Sequence, residues 1–200
     1  MVTIVLDLAR ERYARSVVSL IDRLAGKLVL PDSRPPDDGK RRAAVAALIH
    51  DDRVLLMKRT ERAGDPWSGH ISLPGGRHEA DDRDLLATAI RETHEELAID
   101  LQGARILGSL GALHPRTSGP SGIEVTPFVF ATSHAVEPRP SAEAEAAFWL
   151  PLELARSGAI DGTYAYPGSE MTFPSWRYEG HTIWGLTMRI LGELLEASKP

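Results

Sequence analysis

Three carboxylates, Glu92, Glu95 and Glu96, stand in the run Arg91-Glu92-Thr93-His94-Glu95-Glu96-Leu97-Ala98-Ile99. At about 100° per residue, a helix carries them within a sector of roughly 100°. Leu86, Ala89, Ile90, Thr93 and Leu97 gather on another side as a core-facing stripe. Like charges this close weaken a helix by roughly a few tenths of a kcal/mol per pair and raise one another's pKa. A divalent cation removes both costs. Oxygen ligands without a Cys or His cluster suit Mg²⁺ or Mn²⁺ better than Zn²⁺, and such an ion can bridge phosphate oxygens and activate water. A solvated acidic face is the competing reading. The Leu73-Pro74-Gly75-Gly76 turn ahead of the helix and the Arg-Glu-x-x-Glu-Glu order weigh against it.

The elements around this helix come from pattern and punctuation. Residues from about Leu6 to Leu28 have helical spacing, packed on the core or used as a dimer arm. Pro31 to Lys40 reads as a loop. Arg42 to His50 and Arg53 to Arg59 read as a hairpin about Asp51-Asp52. A helix follows over about Leu85 to Leu97. Strands follow over Ile106 to Leu113, Val125 to Ala131 and Ala144 to Leu150, the last leading to a short helix after Pro151. Ser157 to Glu179, rich in Gly, Tyr and Pro, promises short strands at best, and Ile183 to Ala197 a closing amphipathic helix. Such a mixture is an α+β or α/β layered domain.

Length and composition narrow the classes. Two hundred residues, 42% apolar and 26% charged, suit one soluble domain. A net charge of −5 argues against a partner that is a nucleic-acid polymer. Zero Cys excludes disulfides and thiolate chemistry and fits a reducing cytoplasm. No run reaches the roughly 18 apolar residues of a membrane span, and the N-terminus lacks the features of a signal peptide. The seven His show no H-x-x-x-H or H-E-x-x-H spacing for zinc. There is no Walker loop, no G-x-G-x-x-G and no complete G-x-S-x-G.

The segment from Gly76 to Ile99 resembles the Nudix box, a Gly, a spacer, a Glu, a second spacer and then Arg-Glu-apolar-x-Glu-Glu-x-Gly-apolar. Thr93 sits at an apolar position and Ala98 replaces the second Gly. Gly76 lies one residue further from Arg91 than the pattern has, and Asp82 stands near the first Glu. That longer spacing is similar to the coenzyme A pyrophosphatase branch. So are Leu55-Leu56-Met57-Lys58-Arg59-Thr60 and Gly69-His70-Ile71-Ser72-Leu73-Pro74-Gly75-Gly76. Gly64-Asp65-Pro66-Trp67 stands where that branch carries a basic residue, and Arg62 is the nearest Arg. Gly122 to Pro127, Glu143 to Pro151 and Ile183 to Thr187 also look like the branch.

The resemblance implies an α/β/α sandwich with a mixed sheet and the Glu helix lying against it. It implies a Nudix domain over residues 41–200, with residues 1–40 a helix and Pro-rich linker packed on it. Its metal ligands are Glu92, Glu95, Glu96 and the Gly76 carbonyl, for Mg²⁺ or Mn²⁺. Arg91 becomes an orienting ion-pair partner. Glu79, Asp81 and Asp82 hold outer-shell waters or simply complement a helix start. Glu143 is a general base, a further ligand or a surface acid. Arg59, His70, Arg62 and Arg116 are candidates for phosphate or adenine-side contacts. Trp67 stacks on a base or packs in its loop, and Trp149 and Trp184 sit in core elements. The implied reaction is hydrolysis of coenzyme A or a derivative to 3′,5′-ADP and a phosphopantetheine product. Its rivals are a nucleotide sugar, ADP-ribose, a dinucleotide or an oxidised nucleoside triphosphate as substrate, and a nucleotide-sensing module without catalysis.

Overall fold

The computed structural model describes residues 19–64, 67–115 and 122–199. In chain order the elements are α1 (Leu20–Lys27), β1 (Arg42–His50), β2 (Arg53–Arg59), β3 (Ile71–Ser72), β4 (Gly75–Arg77), α2 (Leu85–Leu97), β5 (Arg105–Ser109) and β6 (Glu124–Thr132). There follow β7 (Ala144–Pro151), α3 (Leu152–Arg156), β8 (Asp161–Ala165), β9 (Thr172–Tyr178), β10 (His181–Trp184) and α4 (Gly185–Ala197). Of the expected N-terminal helix, the part before residue 19 lies outside the described residues.

β1 runs parallel to β6 in full register, from Arg42 opposite Glu124 to His50 opposite Thr132. The β1–β2 hairpin turns at Asp51, which takes a left-handed φ of 53°. β2 pairs antiparallel with β7 along its length, while β3 pairs with the end of β2 and β4 with the start of β1. A seven-stranded mixed sheet results, with β5 outermost beside β6.

Both faces of this sheet are covered, which is why β1 is buried at nearly every position. Alternation sorts the side chains. Ala44, Ala46, Leu48, Leu55, Met57, Phe128 and Phe130 face one core with Leu85, Leu86, Ala89 and Leu97 of α2. Ala47, Ile49, Val54, Leu56 and Leu150 face another, with Leu20 and Leu24 of α1 and Ile190, Leu191 and Leu194 of α4. The expected α/β/α sandwich is therefore present. α1 is tied to the chain's end by Arg23 Nε, which donates to the Ser198 carbonyl at 2.6 Å. Among the described residues no helix is long and apolar enough to cross a membrane.

Three expectations need correction. The strand expected over Ile106 to Leu113 ends at Ser109, and Leu113 makes only an isolated bridge to Val125. The ladder slips at Leu107, between the partners of Ile106 and Gly108, and Gly108 (φ 141°) passes so close to Leu28 that a Cβ there would lie 2.8 Å from its side chain. The stretch from Ser157 to Glu179 holds most of a second sheet, ordered β10-β9-β8. The closing helix begins at Gly185 and not at Ile183. Ile183 and Trp184 pair with Trp176 and Ser175 of β9, and Gly185 turns the corner at φ 62°.

Candidate active site

The site is built where β4 meets α2. Gly75 (φ 148°) crosses β1 so closely that a Cβ would lie 2.3 Å from the Ala44 carbonyl oxygen. Only Gly combines that conformation with that approach. Its amide then donates to Glu96 Oε2 at 2.8 Å. Gly76 faces Glu92 just as closely, since a Cβ there would lie 2.4 Å from Glu92 Oε1. The turn is held from behind by the Ala46 amide, which donates to the Pro74 carbonyl at 2.8 Å.

α2 is capped by Asp84, which accepts from the Ala87 amide, and it ends at Ala98 in the left-handed region, φ 53°. That is the position where the Nudix pattern has Gly, so the cap geometry persists with a strained residue in it. Thr93, at the pattern's apolar position, is fully buried and donates its hydroxyl to the Ala89 carbonyl at 2.7 Å, satisfying it within the helix.

The three carboxylates part company in space. Glu96 is 2% exposed. Burial pushes its carboxyl up to about 8, against the Gly75 hydrogen bond that favours the charged form. Glu92 is also raised, by burial first, with Arg91 opposing. Glu95, 56% exposed at its side chain, turns to Arg91. Arg91 is a hub: Nη1 donates to Glu92 at 3.1 Å and Glu95 at 3.0 Å, and Nη2 to the Arg77 carbonyl at 3.1 Å. Among the described residues, no three acidic or His side chains close around one point, and Arg91 holds Glu95 and one oxygen of Glu92 on its own side. The remaining oxygens of Glu92 and Glu96, beside a backbone stripped of Cβ at Gly76, are hard donors that fit a divalent cation of the Mg²⁺ or Mn²⁺ kind.

Asp82 is placed differently from Glu79 and Asp81, with which sequence reasoning grouped it. Those two are exposed. The Asp82 side chain is only 6% exposed and receives Arg91 bidentately, Nε on Oδ1 at 2.8 Å and Nη2 on Oδ2 at 2.9 Å. The Thr88 hydroxyl (2.8 Å) and the Glu79 amide (3.0 Å) also donate to Oδ2, and His78 Nδ1 lies 2.9 Å from the same hydroxyl. Arg91 beside it holds the Asp82 carboxyl well below the usual carboxylate range. Thr88 and His78 are the residues the sequence reading missed. Their partnership runs from a loop to a helix, and no periodic signal marks it.

The substrate candidates separate as well. Arg59 Nη1 lies 4.0 Å from Glu96 Oε1. It sits at a bulge, where β7 carries Glu145 as an extra residue between the partners of Lys58 and Arg59, and bulges re-aim side chains in this way. The Arg59 amide donates to the His70 carbonyl at 3.0 Å, while the His70 ring packs edge-on to Trp184 at 5.1 Å. Arg62 and Glu143 pair with each other at 3.4 Å in an exposed contact. Glu143 is still close enough for its charge to help raise Glu92 and Glu96. Trp67 is half-buried and its carbonyl accepts from the His70 amide. Trp149 meets His50 edge-on at 6.0 Å. Arg116 lies outside the described residues.

The family model of the NUDIX domain matches residues 40–167. The chain belongs to the Nudix hydrolase family. An uncharacterised Nudix hydrolase, NudL, of Pectobacterium atrosepticum is 32% identical over 177 residues, covering 84% of this chain and 88% of that protein. A NudL of Photorhabdus laumondii, also uncharacterised, is 30% identical over 90% of this chain and 97% of its own. Among solved structures, a MutT/nudix family protein of Enterococcus faecalis superposes with a TM-score of 0.55 at 14% identity, over 81% of this chain and 63% of that one. A bifunctional NMN adenylyltransferase/ADP-ribose pyrophosphatase of Francisella tularensis, in complex with AMP and a manganese ion, gives 0.54 at 19% identity, over 82% and 44%. These structures share the Nudix fold. As a Nudix hydrolase the protein is an enzyme acting on pyrophosphate bonds, a family chemistry that generally depends on a divalent metal.

Proposed function

We propose that this Nudix hydrolase cleaves coenzyme A or a derivative to 3′,5′-ADP and a phosphopantetheine product. The observation that carries the reading is the placement of Arg59. It lies on the strand bearing the branch-like run, beside Glu96 and backbone-paired to His70, so its guanidinium stands at the edge of the acidic site within reach of a diphosphate bound there.

Glu92, Glu95, Glu96 and the Gly76 carbonyl would hold Mg²⁺ or Mn²⁺, with Glu95 exchanging its Arg91 contact for the ion. When bound, the ion neutralises charge on the diphosphate oxygens. Arg59 binds the diphosphate, and His70, Arg62 and Arg116 are assigned to its flanking groups. Arg91, clamped by Asp82, orients Glu92 and Glu95. A water attacks one phosphorus, the anhydride P–O bond breaks, and the Glu143 carboxylate takes the water's proton. Phosphoryl transfer is governed mainly by alignment and charge stabilisation, which a cation held by the acids and the Arg59 guanidinium would supply. We take residues from 41 onward as the hydrolase domain, with α1 and the segment after it packed on it as an accessory element.

The test is incubation with Mg²⁺ or Mn²⁺ and coenzyme A, ADP-ribose, nucleotide sugars, dinucleotides and 8-oxo-dGTP, with products read by mass. Fast release of 3′,5′-ADP from coenzyme A alone is expected. Turnover of another diphosphate with coenzyme A untouched overturns the substrate and keeps the chemistry. No turnover of anything by metal-loaded protein overturns both.

A further inference from the structure

The turn that presents Gly75 and Gly76 hangs on β3, a strand of two residues. In an antiparallel ladder, alternate residues point their N–H and C=O groups away from the partner strand. The Arg59 amide bonds the His70 carbonyl at 3.0 Å, so His70 belongs to the set facing β2 and Ile71, next along, to the set facing away. On that outward side the Thr187 hydroxyl donates to the Ile71 carbonyl at 2.9 Å. The bond is buried, with Thr187 8% and Ile71 5% exposed, and it spans 116 positions of chain. Thr187 lies in the first turn of α4, just past the Gly185 corner, beyond residue 167 where the family match ends. The neighbouring Trp184 ring packs on His70 at 5.1 Å and is backed by Tyr164, stacked at 4.1 Å. The β10–α4 corner thus holds His70 and Ile71, the entry to β3, ahead of the turn that meets Glu92 and Glu96.

We propose that Thr187 is a positioning residue for the metal-holding turn, acting through the Ile71 carbonyl. The inference rests on the reading that Glu92, Glu95, Glu96 and Gly76 hold the metal. A partner one shell out from a metal site fixes the orientation of what touches the ion, and its loss typically lowers metal affinity about 10–100-fold. Here the relay is backbone. Freed from Thr187, Ile71 lets Leu73 to Gly76 drift, so the Gly75 amide loses its register with Glu96 and Gly76 its close approach to Glu92.

The experiment is Mn²⁺ titration by calorimetry on wild type, Thr187→Val, Thr187→Ser and Ile190→Val, with a melting temperature for each. Ile190 is a buried residue of the same helix and of the same core cluster as Ile71, but its side chain has no hydroxyl to give the Ile71 carbonyl. Thr187→Val should weaken Mn²⁺ binding about tenfold. Thr187→Ser should stay within about threefold of wild type because it keeps the hydroxyl, and Ile190→Val should lose melting temperature but no affinity. Thr187→Val binding Mn²⁺ as wild type does, whatever its melting temperature, overturns the proposal. Wild-type hydrogen exchange gives a second reading that no misfolded variant can remove. Because coupling is reciprocal, Mn²⁺ should slow exchange both around Gly75 and in the first turn of α4. Protection confined to the former also overturns the proposal. Glu96→Gln serves as the separate control: if it binds Mn²⁺ undiminished, the metal assignment itself fails and Thr187 is not at issue.

Discussion

Replacing Glu96 with Gln should stabilise the metal-free protein at alkaline pH. Glu96 is 2% exposed, and burial moves its carboxyl from an ordinary 4.5 to about 8. The folded state therefore keeps this proton over a pH range in which the unfolded chain has lost it. Stability from the group is fully present below about 4.5 and drains away as pH rises through about 8. At about 1.4 kcal/mol per tenfold change, ionised Glu96 costs the folded state at most roughly 4–5 kcal/mol at pH 9. Relaxation and water entry bring a realistic figure to roughly 2–3 kcal/mol. Gln keeps an oxygen for the Gly75 amide and carries no charge. For a 200-residue chain, each kcal/mol shifts the melting temperature roughly 2–4 °C. Scanning calorimetry in EDTA should then place Glu96→Gln roughly 5–10 °C above wild type at pH 9, with the gap closing toward pH 5. Excess Mn²⁺ should narrow or reverse the order, since wild type gains ligand stabilisation that the variant lacks. A gap equal at pH 5 and pH 9, or a wild type that melts higher at pH 9 in EDTA, would refute the argument.

Asp82→Asn should cost about 1–3 kcal/mol in urea unfolding at pH 7, because Arg91 loses its bidentate carboxylate and keeps only Glu92 and Glu95. The Asp82 carboxyl is lowered by Arg91, so this advantage of the wild type is present above the ordinary value of 3.8 and fades as pH falls below it. The two proteins should converge in acid. Ala98→Gly should raise the urea midpoint, a gain of about 1 kcal/mol, by relieving the left-handed cap at φ 53°. Unchanged stability would mean the cap is not strained. Gly75→Ala places a Cβ 2.3 Å from the Ala44 carbonyl and 2.5 Å from Val45 Cα, backbone that cannot step aside. It should lose roughly 3 kcal/mol or more, read by circular dichroism melts. Arg59→Ala should raise KM for the diphosphate substrate roughly 10–100-fold, the worth of a charged hydrogen bond, with a smaller change in kcat. An unchanged KM would remove Arg59 from substrate binding.

The elements that sequence reading placed well are those whose signal is local. β1, β2 and α2 lie within the spans their patterns announce, because alternation, a 3.6-residue period and a Gly-rich turn act over neighbouring residues. The second sheet was largely hidden. Its strands carry Gly, Tyr and Pro, and its aromatic rings find their partners across strands, Tyr164 on Trp184, and Trp184 in turn on His70 ahead of β3. The Glu92, Glu95 and Glu96 constellation was readable as one face of a helix, yet its three members differ in kind. Helix geometry makes Glu95 and Glu96 neighbours. Only the sheet beneath α2 decides that Glu96 is buried against the Gly75 amide and that Glu95 stays in water beside Arg91. The Asp82–Arg91 clamp and the Thr187–Ile71 bond were likewise invisible in the chain. The sequence by itself determined the residues of the acidic site and the turn that meets them, because those choices are written in side-chain type and spacing. The tertiary structure decided which acid loses its water, which cation answers it and which distant hydroxyl steadies the turn, because burial and long-range pairing exist only when the layers close.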